Sequence, residues 1–138
     1  MRIVVDSNIL FSALIKNGGM RKLLFEIEED LLTPDIVFVE IEKYKEELIE
    51  KSGLSWEELQ TALHLILRRV SVIADDQLVA FQQEAWELVK EHSPEDVLFI
   101  ACALAFEKSI LWSDDKKLKR QNKIIVLNTQ EIVEKFRL

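Results

Sequence analysis

Short β-branched runs alternate along this chain with longer stretches of helical periodicity, and that alternation is what most limits the folds open to it. Arg2 to Val5, Val70 to Ala74, Ile110 to Ser113 and Ile124 to Leu127 read as strands. Such an order predicts an α/β fold, a central parallel sheet of four to five strands flanked by helices. In open sheets of this kind ligands bind beyond the carboxyl ends of the strands. Acids standing just after a strand, Asp6 and the pair Asp114-Asp115, therefore carry the first interest.

The helical segments have their own punctuation. The apolar stretch Ile9 to Ile15 is followed by Gly18-Gly19, which predicts two helical pieces before Leu31. Thr33-Pro34 reads as the cap and first turn of a helix carrying Val37, Ile41, Tyr44 and Leu48 and running to Lys51. Ser55-Trp-Glu-Glu is a capping-box pattern opening a helix with Leu59, Leu63, Ile66 and Leu67. A further helix is expected from Asp76 to His92 on the stripe Val79, Trp86 and Val89. Ser93-Pro94-Glu95-Asp96 then marks the start of an Ala-rich helix, and Asn128 to Glu131 caps a final one. Residues 45 to 92 are candidates for a helical projection from the sheet.

At 138 residues the chain is expected to form one domain, 1–138, with a substantial core. A hydrophobic fraction of 49% beside 31% charged residues suits a water-exposed globular protein, and no apolar run approaches the roughly 18 residues of a membrane span. The opening MRIVVD lacks the apolar segment of a secretory signal, and Cys102 has no second cysteine to pair with. A cytoplasmic location is expected. The formal charge of −7 opposes nonspecific binding to phosphate backbones unless a cation or a local basic patch intervenes.

Each candidate acid has an ordinary structural explanation. Asp6 suits an N-cap, and Glu40, on the flank of the apolar stripe beside Val37 and Tyr44, suits an ion pair with Lys43. Glu42 and Glu46 face away from that stripe. Asp96, three residues after Ser93, fits a capping box. Of Asp114 and Asp115, one is expected to cap the following turn and the other to point into the crevice. Four acids from separate elements aimed at one crevice would repel, however, and divalent cations relieve that most simply. Hard oxygen donors select Mg²⁺ or Mn²⁺ over zinc.

Other chemistries lack their residues. His64, His92 and Cys102 have neither zinc-ligand spacing nor a nucleophile arrangement, and Gly18-Gly19 and Gly53 match no phosphate-loop fingerprint. Both histidines are expected to be structural. The Asp-x-Asp of a haloacid-dehalogenase-type phosphatase is replaced by Asp6-Ser7-Asn8, and a receiver domain would need paired acids near the first strand.

The motifs together resemble a PIN-domain nuclease. Asp6-Ser7-Asn8-Ile-Leu is similar to that family's first motif, and Pro34 to Glu40 to the segment bearing its second acid. Asp96-Val-Leu-Phe-Ile-Ala-Cys-Ala resembles the acid that opens an Ala-rich helix, and Ile110 to Leu118 the strand followed by Ser and acids. Lys117 departs from the pattern by standing where a further acid is common. The resemblance implies Mg²⁺- or Mn²⁺-dependent hydrolysis of RNA, commonly by a VapC-type toxin with an antitoxin peptide and as a homodimer. It also leaves room for an RNA-processing nuclease or an inactive RNA- or protein-binding module.

It assigns the catalytic acids to Asp6, Glu40, Asp96 and Asp115, with Asp114 as a further candidate ligand and Ser7, Asn8 and Ser113 supporting by hydrogen bonds. Lys116, Lys117, Lys119, Arg120 and Lys123 follow the acidic site and are candidates to guide an RNA backbone, with Arg21 and Lys22 extending the patch. The competing reading of that run is a solvated helix face. Trp56 and Trp86 lie on apolar stripes and are expected in the core or a dimer contact.

Overall fold

The computed structural model describes residues 1–15 and 19–138, so Gly18 of the expected helix break lies outside the described residues. Five parallel strands form one sheet: β1 (Arg2–Val5), β2 (Asp30–Pro34), β3 (Val70–Ile73), β4 (Ser109–Trp112) and β5 (Val126–Leu127), in the order β3-β2-β1-β4-β5. The order reverses beside β1: the chain first builds outward through β2 and β3, then returns to add β4 on the other edge of β1. A crevice opens at such a reversal, between the carboxyl ends of β1 and β4.

Eight helices cover the sheet among the described residues: α1 (Ser7–Ile15), α2 (Gly19–Glu26), α3 (Ile36–Lys43), α4 (Lys45–Ser52), α5 (Trp56–Leu67), α6 (Gln82–Val89), α7 (Val97–Ala105) and α8 (Thr129–Phe136). Period-two alternation along the strands sends Ile3, Val5, Leu31, Ile110 and Trp112 to one face, where α1 to α5 and α8 pack. Val4, Leu32, Leu111 and Val126 face the other way, onto α6 and α7. Helix α7, VLFIACALA, carries no polar residue because it lies across β1, β2 and β4 beneath α6. Burial there pushes the Cys102 thiol up to about 12, which makes it an inert packing group.

Several expectations are corrected. Thr33 and Pro34 do not open a helix; they end β2, where the Thr33 hydroxyl donates to the Val5 carbonyl at 3.0 Å. Proline at the last strand residue removes no interior ladder bond, so the strand tolerates it. The helix expected to run to Lys51 is two, broken at Tyr44 (φ −103°, ψ 16°), whose ring meets Phe11 edge-on with centroids 5.9 Å apart. The stretch from Asp76 begins as two 3₁₀ turns, leaves Val79 exposed, and becomes helical only at Gln82. Residues 45 to 92 do not project: Leu48, Leu59, Ala62 and Ile66 share the core of Ile3 and Val5, and β3 pairs with β2. The final strand is confined to Val126–Leu127.

The capping boxes at Ser55 and Asn128 form as expected. Trp56 packs against the core with the Lys45 ammonium 4.6 Å above its ring, whereas Trp86 is half-exposed on α6. No helix among the described residues is long and apolar enough to cross a membrane.

Phe99 is the largest fully buried side chain of α7. Phe99→Ala is expected to lower stability by about 3–5 kcal/mol through lost burial and the cavity left behind. Urea unfolding followed by circular dichroism checks this: the midpoint falls while the slope stays constant.

Candidate active site

Parallel pairing of β1 with β4 puts Val5 beside Trp112, and the ladder continues one step with the Asp6 amide donating to the Trp112 carbonyl at 3.0 Å. Asp6 and Ser113 consequently leave their strands side by side. The Ser113 hydroxyl donates to Asp6 Oδ2 at 2.6 Å, and Asp6 is 2% exposed. Its carboxyl is raised above the usual carboxylate range by burial, opposed by the Ser113 bond and the Ser7 and Asn8 amides.

Glu40 arrives from α3. Its Oε2 accepts from the Ser7 hydroxyl at 2.8 Å, and no ion pair with Lys43 forms within 4 Å. Burial raises its carboxyl, with Ser7 acting in the opposite direction and Asp6 reinforcing the rise. Asn8 is exposed and lines the same cleft.

Asp96 enters at the end of a 3₁₀ turn, Pro94–Asp96, just before α7. The expected capping box is absent: neither Ser93 nor Asp96 makes a side-chain cap bond. Ser93 Oγ and Asp96 Oδ2 are both buried without any hydrogen-bond partner. An orphaned carboxylate oxygen is costly, and burial followed by repulsion from Asp6, Glu95, Asp115 and Glu40 pushes Asp96 up to about 7.

The two acids after β4 part company. Asp115 faces the cleft, while its Oδ1 accepts from the Lys117 amide at 3.0 Å, so one residue both caps the turn and lines the crevice. Asp114 turns to α8, where Oδ1 accepts the Thr129 amide at 2.7 Å and Oδ2 its hydroxyl at 3.0 Å. The structure thus does not bring Asp114 to the cluster, because Thr129, the first residue of α8, engages both oxygens.

Glu95 was not singled out from the sequence as a site residue. Its carboxylate, with those of Asp96 and Asp115, forms a group in which one oxygen from each lies within 4.8 Å of the others. Its adjacency to Asp96 was the only available signal, and a helix start explains acids there equally well. The cleft, of about 740 Å³, continues from the acids between α1 and α3–α4, past Phe11, Val39, Tyr44, Lys43 and Lys51. His64, His92, Arg21 and Lys22 lie outside its lining; Arg21 Nε and Nη2 both donate to the Ala13 carbonyl.

The basic run after Asp115 is largely committed to acids. Lys117 meets Glu95, Lys119 meets Glu131, and Lys123 stands 3.9 Å from Glu84. Lys116 and Arg120 have no salt-bridge partner among the described residues and are exposed.

Residues 4–134 match the sequence model of the PIN domain. The chain belongs to the PIN-domain family. No curated protein matches it in sequence. Among solved structures it is similar to one titled as VapBC2 from Rickettsia felis bound to a DNA fragment from their promoter, at 20% identity and a TM-score of 0.71. That alignment covers 93% of this chain and 98% of the other. VapBC-1 from nontypeable Haemophilus influenzae is similar at 19% identity and a TM-score of 0.65, with the same 93% and 98% coverage. At these identities the likeness is one of fold, and it agrees with the parallel α/β sheet of this PIN domain.

An all-oxygen donor set with one unsatisfied buried oxygen fits a hard divalent cation. In this PIN domain Glu95, Asp96 and Asp115 are the acids whose oxygens converge and could hold it, whereas Asp6 and Glu40, expected as ligands from the sequence, line the same cleft without joining that group.

The raised Asp96 carboxyl has a stability consequence in metal-free protein. Between the ordinary value of 3.8 and about 7 the folded state holds a proton that the unfolded state releases, so stability falls as pH rises through that window. In EDTA the Tm is expected to drop by several degrees across it. Asp96→Asn is expected to flatten that slope in differential scanning calorimetry; an unchanged slope would contradict the assignment to Asp96.

Proposed function

We propose that the protein is a Mg²⁺- or Mn²⁺-dependent endoribonuclease acting as the toxin of a toxin–antitoxin pair. The observation that carries the reading is the unpaired, buried Asp96 Oδ2 on a carboxylate that feels the repulsion of Asp6, Glu95, Asp115 and Glu40 in the same cleft. Membership of a nuclease family supports hydrolysis, and the all-carboxylate donor set supports the metal.

When bound, a divalent ion supplies hydroxide near neutral pH and positive charge for the phosphodiester. The protein's own groups prepare the place. Ser113 and Ser7 each donate to a carboxylate oxygen, which orients Asp6 and Glu40 where they line the cleft. Glu40, held by Ser7 and raised by burial, is a candidate to accept a proton from an attacking water. Exposed Lys116 and Arg120 are the residues of the basic run available to an RNA backbone.

Partners and setting follow the same reading. The two similar structures are titled as VapBC assemblies, which supports an antitoxin peptide as a partner for this chain. A homodimer and a cytoplasmic location belong to the proposal. So does a single domain, 1–138, which the five-stranded sheet running from Arg2 to Leu127 supports.

Incubating single-stranded and structured RNAs with the protein, with and without Mn²⁺, tests the reading. Metal-dependent cutting is expected. Asp96→Asn and Asp6→Asn are each expected to lower it on the order of a hundredfold or more, since even groups that only orient a metal ligand are worth up to that. Intact RNA in every lane would sink the enzyme and favour a binding module.

A further inference from the structure

A cation of the protein's own already meets the outer end of the carboxylate cluster. Lys117 Nζ lies 3.2 Å from Glu95 Oε1 and 3.9 Å from Asp115 Oδ2. Those two acids, with Asp96, each bring one oxygen to within 4.8 Å of the others. The Lys117 amide donates to Asp115 Oδ1, which ties both residues to one turn and starts the lysine side chain beside that carboxylate. Asp115 therefore gives one oxygen to the turn and shows the other to an ammonium. Asp96 Oδ2, by contrast, is buried and faces no protein donor.

We infer that the Lys117 ammonium is a built-in cation of this site: it occupies the Glu95–Asp115 edge of the Glu95–Asp96–Asp115 group and restricts the chain to one divalent ion. The inference rests on the metal-dependent reading above and deepens it. Where two ions share a nuclease site they stand about 3.5 to 4 Å apart and both neutralise the phosphodiester. An ammonium at the second position adds a fixed positive charge without ligand exchange, and it repels a further ion. Lysine suits that place, since a compact, strongly hydrated point charge belongs at the half-exposed rim and not at the buried Asp96 centre.

Mn²⁺ binding to the full chain reads this out independently of RNA cleavage. Isothermal titration calorimetry and electron paramagnetic resonance would compare wild type, Lys117→Ala and Lys117→Glu. Lys90→Ala, which removes an equal charge paired with Glu87 on α6, serves as the control. Circular dichroism would confirm that each variant is folded. Wild type and the control are expected to bind one Mn²⁺; Lys117→Ala should bind it about tenfold tighter or more, the scale of ion–ammonium repulsion across a few ångströms under solvent screening. Lys117→Glu should take up a second ion. Two ions in wild type, or unchanged affinity and count in both Lys117 variants, would overturn the role of Lys117 and leave the metal-dependent reading standing. Absence of Mn²⁺ binding in all four proteins would overturn that reading and this inference with it.

Discussion

Val5 stands beside Trp112 in the parallel register of β1 and β4, and the Asp6 amide still donates to the Trp112 carbonyl one residue further on. That hydrogen bond brings Asp6 and Ser113, separated by most of the chain, to a 2.6 Å contact. A slip of one residue would send Ile3, Val5, Ile110 and Trp112 to the wrong face of the sheet, so the core that fixes the register also fixes the site. Asp115 follows from the same pairing through its amide, which donates to Ser113 Oγ. Glu40 is coupled to it through Ser7, the first residue of α1.

Folding gathers carboxylates that water would keep apart. Burial raises Asp6, Glu40 and Asp96, and mutual repulsion adds to the rise at each. The serines offset part of this at Asp6 and Glu40, whereas Asp96 Oδ2 has no hydrogen bond to do so. A site that stores such repulsion is unfavourable for the fold by itself and favourable for capturing a cation. The interior of α7 and the two sheet faces supply the apolar burial that makes the arrangement affordable.

Charge count alone misrepresents the surface around the cleft. Lys117, Lys119 and Lys123 look from the sequence like one basic run, yet each meets an acid from a different part of the chain. Such exposed pairs contribute little to stability, but they reduce the positive field available to a phosphate backbone. Lys116 and Arg120 retain that field. On the other flank the cleft acquires Lys43 and Lys51 from α3 and α4, which lie far from the basic run in sequence.

Much of the fold was legible because strand and helix periods are local properties. The β-branched runs at β1, β3 and β4, the boxes at Ser55 and Asn128, and the apolar stretch of α7 all announce themselves within a few residues. β2 did not, since Asp30-Leu-Leu-Thr-Pro is buried on both faces, shows no alternation, and ends in a proline that reads locally as a helix start. Asp6, Glu40, Asp96 and Asp115 were recognisable as residue types in an ordered pattern. Their convergence was not, and neither was the choice between Asp114 and Asp115, which Thr129 decides from α8 by engaging both Asp114 oxygens. Local periodicity and capping chemistry were enough to place most of the elements, though not β2 or the break at Tyr44, and to put Asp6 and the Asp114-Asp115 pair at strand ends. Only the tertiary structure decided which carboxylates share a space, which one is left without a partner, and that Lys117 reaches Glu95, because those are distances between segments remote in the chain.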